Sequence, residues 1–226
     1  MADTLETTER TRLRRYHERG HFDRATIDAI LDAMAMCHVG YLIKGKPVVM
    51  PTFQWREGDH VYWHASSAGR GIRNAEGTEV CLTVSILDGL VLARSGMHHS
   101  ANSRSVMIFG TPRRITDEKE KLEKLKGFID KMYPGRWDTL RPVTAQEAKA
   151  TAILSLPITE ASAKVRTGGI LVSHRLPGTM LFQPQRVWNG HPGGGFIADG
   201  MSPSSTIRFF LTRVSAIGTA DKSASV

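Results

Sequence analysis

The sequence predicts a mainly β chain, an antiparallel barrel with peripheral helices. Two observations carry this. At least six short runs rich in Val, Ile, Tyr, Trp and Thr follow one another, with tight-turn residues such as Lys44-Gly45-Lys46 and Glu57-Gly58-Asp59 between them. Few of these runs are separated by helical patterns, which argues against a βαβ sheet and for a barrel built from hairpins.

Taken in order, residues 1–20 are charged and read as an extended arm with some helix. Asp23 caps an amphipathic helix whose Ile27, Ile30, Leu31 and Met34 recur at helical spacing. Cys37 to Ile43 is a strand, and Pro47 to Trp55 returns beside it. Pro51 within the second run implies an edge or a bulge, because proline brings no N–H to a ladder. His60 to His64 follows, then a short helix from Arg70 to Glu76. Thr78 to Leu87 is β-rich, Asp88-Gly89 signals a hairpin, and Leu90 to Ser95 returns. After a loop, Arg104 to Gly110 is a further strand. Thr116 caps a long helix with Leu122, Leu125, Ile129 and Met132 on its core face, and Tyr133-Pro134-Gly135 stops it. Thr144 to Glu147 is a capping box, and Ala152 to Ile158 is the last strand.

Composition narrows the function. The net charge is +8, but residues 161–226 hold seven Lys/Arg against two Asp/Glu, so the remainder is nearly balanced. No basic stripe with interleaved aromatics appears, and nucleic acid is not expected as a partner. No apolar run is long enough for a membrane span. The polar, acidic N-terminus lacks the apolar core of a signal peptide, which points to the cytoplasm. Cys37 and Cys81 sit in apolar runs and read as buried thiols rather than a disulfide. His98 and His99 are adjacent on an extended chain and point apart, so no metal site is expected.

The stretch with the most chemistry is His60-Val-Tyr-Trp-His64-Ala-Ser66-Ser67-Ala-Gly69-Arg70. Val61 and Trp63 face one side of a strand, Tyr62 and His64 the other. Ser66 and Ser67 then stand where a helix begins, with Arg70 in its first turn. Hydroxyls, free N–H groups and a guanidinium together suit a phosphate.

These pieces, with Cys37-His38-Val39-Gly40, Pro47-Val-Val-Met-Pro51, Leu90-Val-Leu-Ala-Arg94, His98-His99-Ser100-Ala-Asn102-Ser103-Arg104-Ser105-Val106, Phe109-Gly110 and Ile158 to Arg166, resemble the flavin-binding split-barrel proteins of the pyridoxamine 5'-phosphate oxidase superfamily. The branch related to nitroimidazole reductases is the most similar. The resemblance implies a six-stranded split barrel over residues 1–168, including an N-terminal helical arm. Residues 169–226 are a poorly matched, basic, Gly/Pro/Ser-rich extension. Two departures stand out. Ser103 replaces an aromatic usual before the Arg-Ser pair, and the segment Val187 to Pro192 keeps only a trace of the family's Trp-x-Gly ending.

The resemblance further implies a homodimer with flavin mononucleotide in two clefts at its interface, flavin adenine dinucleotide being the alternative. Ser66 and Arg70 would hold the phosphate, and His64 would lie beside the cofactor at the reaction site. Arg104 and Ser105 would complete the phosphate or ribityl contacts. Pro51 and Thr52 would present backbone groups to the isoalloxazine edge, and Ser100 and Asn102 would order the adjoining loop. The activity implied is that of a flavin-dependent oxidoreductase. Electrons would pass from NAD(P)H, bound transiently because no dinucleotide fingerprint is present, to a small electrophile such as a nitro-heteroaromatic. A flavin-binding protein without catalysis, serving storage or sensing, is the alternative. A third option keeps the barrel with haem or a deazaflavin. Pyridoxamine phosphate oxidation itself is not expected, since that enzyme's Arg-x-x-Leu-x-Lys run is missing.

Overall fold

The computed structural model describes residues 3–93 and 96–168, so the C-terminal extension and Arg94 lie outside the described residues. Asp23 opens the first helix, α1 (Arg24–Ala33), by accepting a hydrogen bond from the Thr26 N–H at 2.8 Å. The chain then runs through β2 (Met36–Ile43), β3 (Lys46–Glu57) and β4 (His60–Ser66), after the two-residue β1 (Gly20–His21) of the arm. A short α2 (Arg70–Ala75) leads into β5 (Val80–Val91) and β6 (Ser100–Gly110). The two-residue β7 (Arg113–Arg114), α3 (Glu118–Met132), α4 (Ala145–Ala150), β8 (Thr151–Pro157) and β9 (Glu160–Arg166) complete the described chain.

All strand pairs are antiparallel, in the order β1-β9-β6-β5-β2-β3-β4-β8-β7. β3 carries the split. It pairs with β2 from Lys46 to Phe53 but with β4 only from Gln54 to Glu57. Pro51, opposite His38, therefore sits where β3 has a ladder on one side only, the position a residue without an N–H tolerates.

The inward faces of β2, β4, β5, β6 and β9 bury Val39, Trp63, Leu82, Val106 and Ala163 against Ile27, Ile30 and Leu31 of α1 and Ile72 of α2. Gln54 is 1% exposed and donates from Nε2 to the carbonyls of Leu31 and Met34, both at 2.7 Å. This amide satisfies carbonyls that the end of α1 leaves without helical partners. A second apolar cluster of Trp55, Tyr62, Ile115 and Ile153 lies on the other side, with Leu125 and Phe128 of α3 packed against it.

Several expectations shift. Asp88-Gly89 is not a hairpin turn: β5 continues through it with a bulge between Leu87 and Gly89, and Arg104 on β6 takes the Asp88 carboxylate. The tertiary ion pair overrides the local turn preference. β6 accordingly begins at Ser100, within the expected loop. Asp117, not Thr116, caps α3, accepting from Glu120 N–H at 2.7 Å. The α3 stripe is half-buried rather than core, with no fully buried residue. Glu160–Arg166 is a strand that its alternating small and polar residues did not announce.

The arm is pinned rather than loose. Thr8 and Arg10 donate to the Glu160 carboxylate at 2.5 and 2.9 Å, and the Arg10 guanidinium lies 4.8 Å from the Phe109 ring centroid.

Candidate functional site

The expected alternation along β4 is present. Val61 and Trp63 are fully buried in the main core, while Tyr62 and His64 face α3. Trp55, opposite Tyr62 in the register, stacks on it at 5.6 Å between ring centroids and with 23° between planes. His64 stands 6.1 Å from Trp55 and 4.8 Å from Phe128. The ring is thus walled by two aromatics. Its Nδ1 is buried with no hydrogen-bond partner, whereas Nε2 is not enclosed. Burial pushes the His64 pKa below the usual histidine range, so the ring is neutral at pH 7.

Glu57 anchors the same wall from beyond. Its Oε1 accepts from Trp55 Nε1 at 3.0 Å, and its Oε2 from Lys124 Nζ at 2.6 Å. Lys124 also lies 4.8 Å from the Tyr62 ring centroid. Burial opposes the lysine's charge, yet the Glu57 carboxylate outweighs it and raises the pKa. The carboxylate crosses α3 at Gly127, where a Cβ would collide with Oε1. Sequence reasoning missed this triad. The Gly in the middle of an otherwise strong helix was the signal available.

At the end of β4 the chain turns tightly. Gly69 N–H donates to the Ser66 carbonyl at 2.8 Å, and a Cβ on Gly69 would stand 2.8 Å from that oxygen. Ser67 N–H is taken by the Ala150 carbonyl at 2.7 Å. Ser66 and Arg70 are both exposed. Neither the Ser66 hydroxyl nor the Arg70 guanidinium has a hydrogen bond or ion pair among the described residues. α2 has only six residues, so its dipole adds little, and the hydroxyl and guanidinium are the groups left to meet an anion.

The remaining expected residues fall into two groups. Pro51 shares the His64 face with Phe53 and Trp55, whereas Thr52, opposite buried Cys37, points inward. On β6, Ser100, Asn102 and Arg104 alternate with Ser105, which lies opposite Ser85 on the outer face. Arg104 is held by Asp88 through two hydrogen bonds, at 2.9 and 2.8 Å, and this pairing lowers the Asp88 pKa. Asn102 is buried and accepts from Arg166 Nη1 at 2.5 Å. His64, Ser66 and Arg70 thus follow one another along the end of β4 and the turn after it, while Pro51 lies on the stretch of β3 that pairs with β2 and no longer with β4. In the sheet order, the β6 group is separated from them by β5 and β2.

The outer face between the two groups carries several exposed apolar side chains that no described segment covers. Met36 is 40% exposed, Leu42 60%, Val49 65%, Phe53 44%, Leu87 56% and Met107 40%. Among the described residues no His/Cys/Asp/Glu cluster suits a metal ion, and no helix is long and apolar enough to cross a membrane.

The chain is similar to several solved structures. The flavocytochrome Anf3 of Azotobacter vinelandii is 44% identical, covering 91% of this chain and 92% of that one, with a TM-score of 0.74. The FAD and haem binding protein of Mycobacterium smegmatis is 27% identical over 84% of this chain and 93% of that one, with a TM-score of 0.70. A candidate 5-nitroimidazole antibiotic resistance protein of Bacteroides thetaiotaomicron shares the fold at 24% identity, over 63% and 84% of the two chains, with a TM-score of 0.54. No curated protein matches the chain. The pattern of the pyridoxamine 5'-phosphate oxidase family matches residues 23–165, more than half of the sequence. With its antiparallel split barrel, the chain belongs to the pyridoxamine 5'-phosphate oxidase family.

Proposed function

We propose that the chain is a flavin- and haem-binding redox protein of the flavocytochrome kind, working as a homodimer. The observation that carries this is the similarity to the A. vinelandii flavocytochrome over more than nine-tenths of both chains. The M. smegmatis relative, named for FAD and haem, supports FAD over FMN as the flavin.

The residues present fit a flavin phosphate. Ser66 and Arg70 hold a hydroxyl and a guanidinium with no partner among the described residues, presented by a turn in which a Cβ on Gly69 would crowd the Ser66 carbonyl. Pro51 and the exposed Phe53, on β3, would offer backbone and an apolar surface to the flavin. The bound flavin supplies the electron chemistry. The chain's residues orient it, keep water from its face and offer the neutral His64 ring as a hydrogen-bonding partner to whatever lies beside it.

Arg104, Ser105, Ser100 and Asn102 complete the site across the dimer. Two-fold pairing through the outer sheet face would cover Leu42, Val49, Leu87 and Met107, which no described segment covers. It would also bring one copy's β6 to the other copy's β4. The narrower activity we infer is transfer of electrons from NAD(P)H through the flavin to a small electrophile, nitro-heteroaromatics among them.

The test is to purify the chain, identify its released cofactors by mass spectrometry, and follow NAD(P)H oxidation with and without a nitroimidazole. Flavin in near-stoichiometric amount and acceptor-stimulated turnover support the reading. A reduced flavin that no acceptor reoxidises faster than oxygen does would reduce the protein to a binding module.

A further inference from the structure

We propose that the N-terminal arm binds the adenine and 2'-phosphate of NADPH. The proposal rests on the nicotinamide-donor part of the function inferred above, and deepens it by naming which nucleotide the chain takes and where.

The arm is a loop fixed at both ends. Leu5 N–H donates to the Phe22 carbonyl at 2.9 Å, Thr11 is buried, and Gly20 and His21 pair with Lys164 and Ala163 of β9. Between these anchors, residues 8–19 carry five arginines against two glutamates. Arg10 is taken by Glu79 and Glu160. The Arg12 guanidinium has no hydrogen bond or ion pair among the described residues, and the Arg15 guanidinium meets no carboxylate there. Arg14 pairs with Glu9 at 3.2 Å, a solvated contact that contributes little and leaves the guanidinium open to a stronger anion.

Tyr16 sets the loop apart from an ordinary charged surface. It takes the left-handed conformation, φ 55° and ψ 49°, which a bulky residue rarely adopts and which clusters at functional sites. Its ring carries two guanidiniums, the Arg15 carbon at 4.9 Å and the Arg19 carbon at 4.1 Å from the centroid, and remains 37% exposed. Stacked arginine and tyrosine offer a flat face to a purine, while guanidinium edges offer paired donors to a phosphate.

Arg12, Arg14 and His17, with Glu9 and Leu13, line an open concavity of about 700 Å3, within the range of small-molecule sites. That size and so few unpaired cations suit one nucleotide phosphate better than a nucleic-acid backbone, which needs a basic stripe. The arm also lies on the right edge of the sheet. Gly20, the exposed Lys164 and Ser105 stand in one row across β1, β9 and β6. Two strand spacings, about 10 Å, separate the arm from Ser105. A dinucleotide seated on the arm can therefore extend toward the β6 residues proposed above to complete the flavin site. NADPH and NADH differ only in the 2'-phosphate, so free arginines at that end select NADPH.

The experiment uses the full-length, flavin-loaded chain under anaerobic conditions. Flavin reduction is followed against NADPH and NADH concentration, and binding of 2',5'-ADP and 5'-AMP by calorimetry, in wild type, Arg12→Ala, Arg12→Lys, Arg15→Ala and Tyr16→Gly. NADPH should half-saturate at least ~10-fold below NADH, and 2',5'-ADP should bind tighter than 5'-AMP by a similar factor, as a charge-assisted hydrogen bond gives. Arg12→Ala and Arg15→Ala should each remove most of this preference and leave NADH unchanged, and Arg12→Lys should restore part of it. Tyr16→Gly fits the same backbone without strain, so it should weaken both nucleotides alike without lowering the unfolding transition. Equal half-saturation by NADPH and NADH, with equal binding of 2',5'-ADP and 5'-AMP, would overturn the assignment and leave the donor reading standing. Flavin that neither nucleotide reduces, with 2',5'-ADP still bound through Arg12, would overturn the donor reading and keep the phosphate site. A short DNA duplex bound more tightly than 2',5'-ADP through the same arginines would overturn the assignment in favour of nucleic acid.

Discussion

The Phe128 ring lies 4.8 Å from the His64 imidazole and 5.0 Å from the Trp55 indole, so one side chain of α3 closes the back of the candidate site. Because Phe128 is only half-buried, Phe128→Ala should cost about 1–2 kcal/mol, below the ~3–5 of a fully buried Phe. It should also return the His64 pKa toward 6.5 by admitting water. The depressed histidine adds stability above pH 6.5 that is lost as pH falls through its folded pKa, so the variant should lose part of that dependence. Urea unfolding at several pH values and NMR titration of His64 in the cofactor-free chain check both. An unchanged titration would show that Phe128 does not exclude water.

Gly127 and Glu57 make a conditional pair. In the wild type, Gly127→Ala should displace the Glu57 carboxylate and free both Trp55 Nε1 and Lys124, a net destabilisation of about 1 kcal/mol. In a Glu57→Ala background the same change should stabilise by up to ~1 kcal/mol, the helix preference of Ala over Gly. A double-mutant cycle measures this, and equal effects in both backgrounds would remove the contact from the account.

Gln54→Leu should destabilise by about 1–3 kcal/mol, since it strips two buried carbonyls of their donor. Chemical denaturation reads it. A loss of under ~0.5 kcal/mol would mean that water reaches the end of α1.

Glu160 is held down to a pKa of about 2 by Arg10 and Thr8. A carboxyl depressed in the folded state adds stability above its unfolded pKa, 4.5, and loses it as pH falls toward about 2. Glu160→Gln should therefore be less stable than wild type at pH 6, by a modest amount because Arg10 is 42% exposed, and the gap should shrink below pH 4.5 and close only near pH 2. A gap that stays constant from pH 6 down to pH 3 would point to the hydrogen bonds alone.

Much of this was legible in the sequence because local chemistry and tertiary context agree. Asp23 caps α1, Thr144 and Glu147 form the capping box, and β4 alternates as its residues demand. Asp88-Gly89 misled because the turn preference lost to an ion pair with Arg104, sixteen residues on. The strand, the turn from Ser66 to Arg70 and the short helix after it were announced by the spacing of small and polar residues. The aromatic wall was hidden, since Trp55 and Phe128 meet His64 only once α3 lies across β3 and β4. The pairing of Asn102 with Arg166 is likewise a contact between distant strands.

The proposed phosphate cradle has its own signature. Arg70→Ala should weaken flavin binding about 10- to 100-fold, the loss of a charge-assisted hydrogen bond, while leaving the unfolding curve of the cofactor-free chain unchanged. Fluorescence titration with FAD and FMN measures it, and an affinity that survives Arg70→Ala would move the phosphate elsewhere.

The visible absorption spectrum of the freshly purified full-length chain tests the central claim most directly. Flavin bands together with a Soret band are expected, with release of FAD and haem on denaturation. A colourless protein that takes up neither added flavin nor haemin would contradict it.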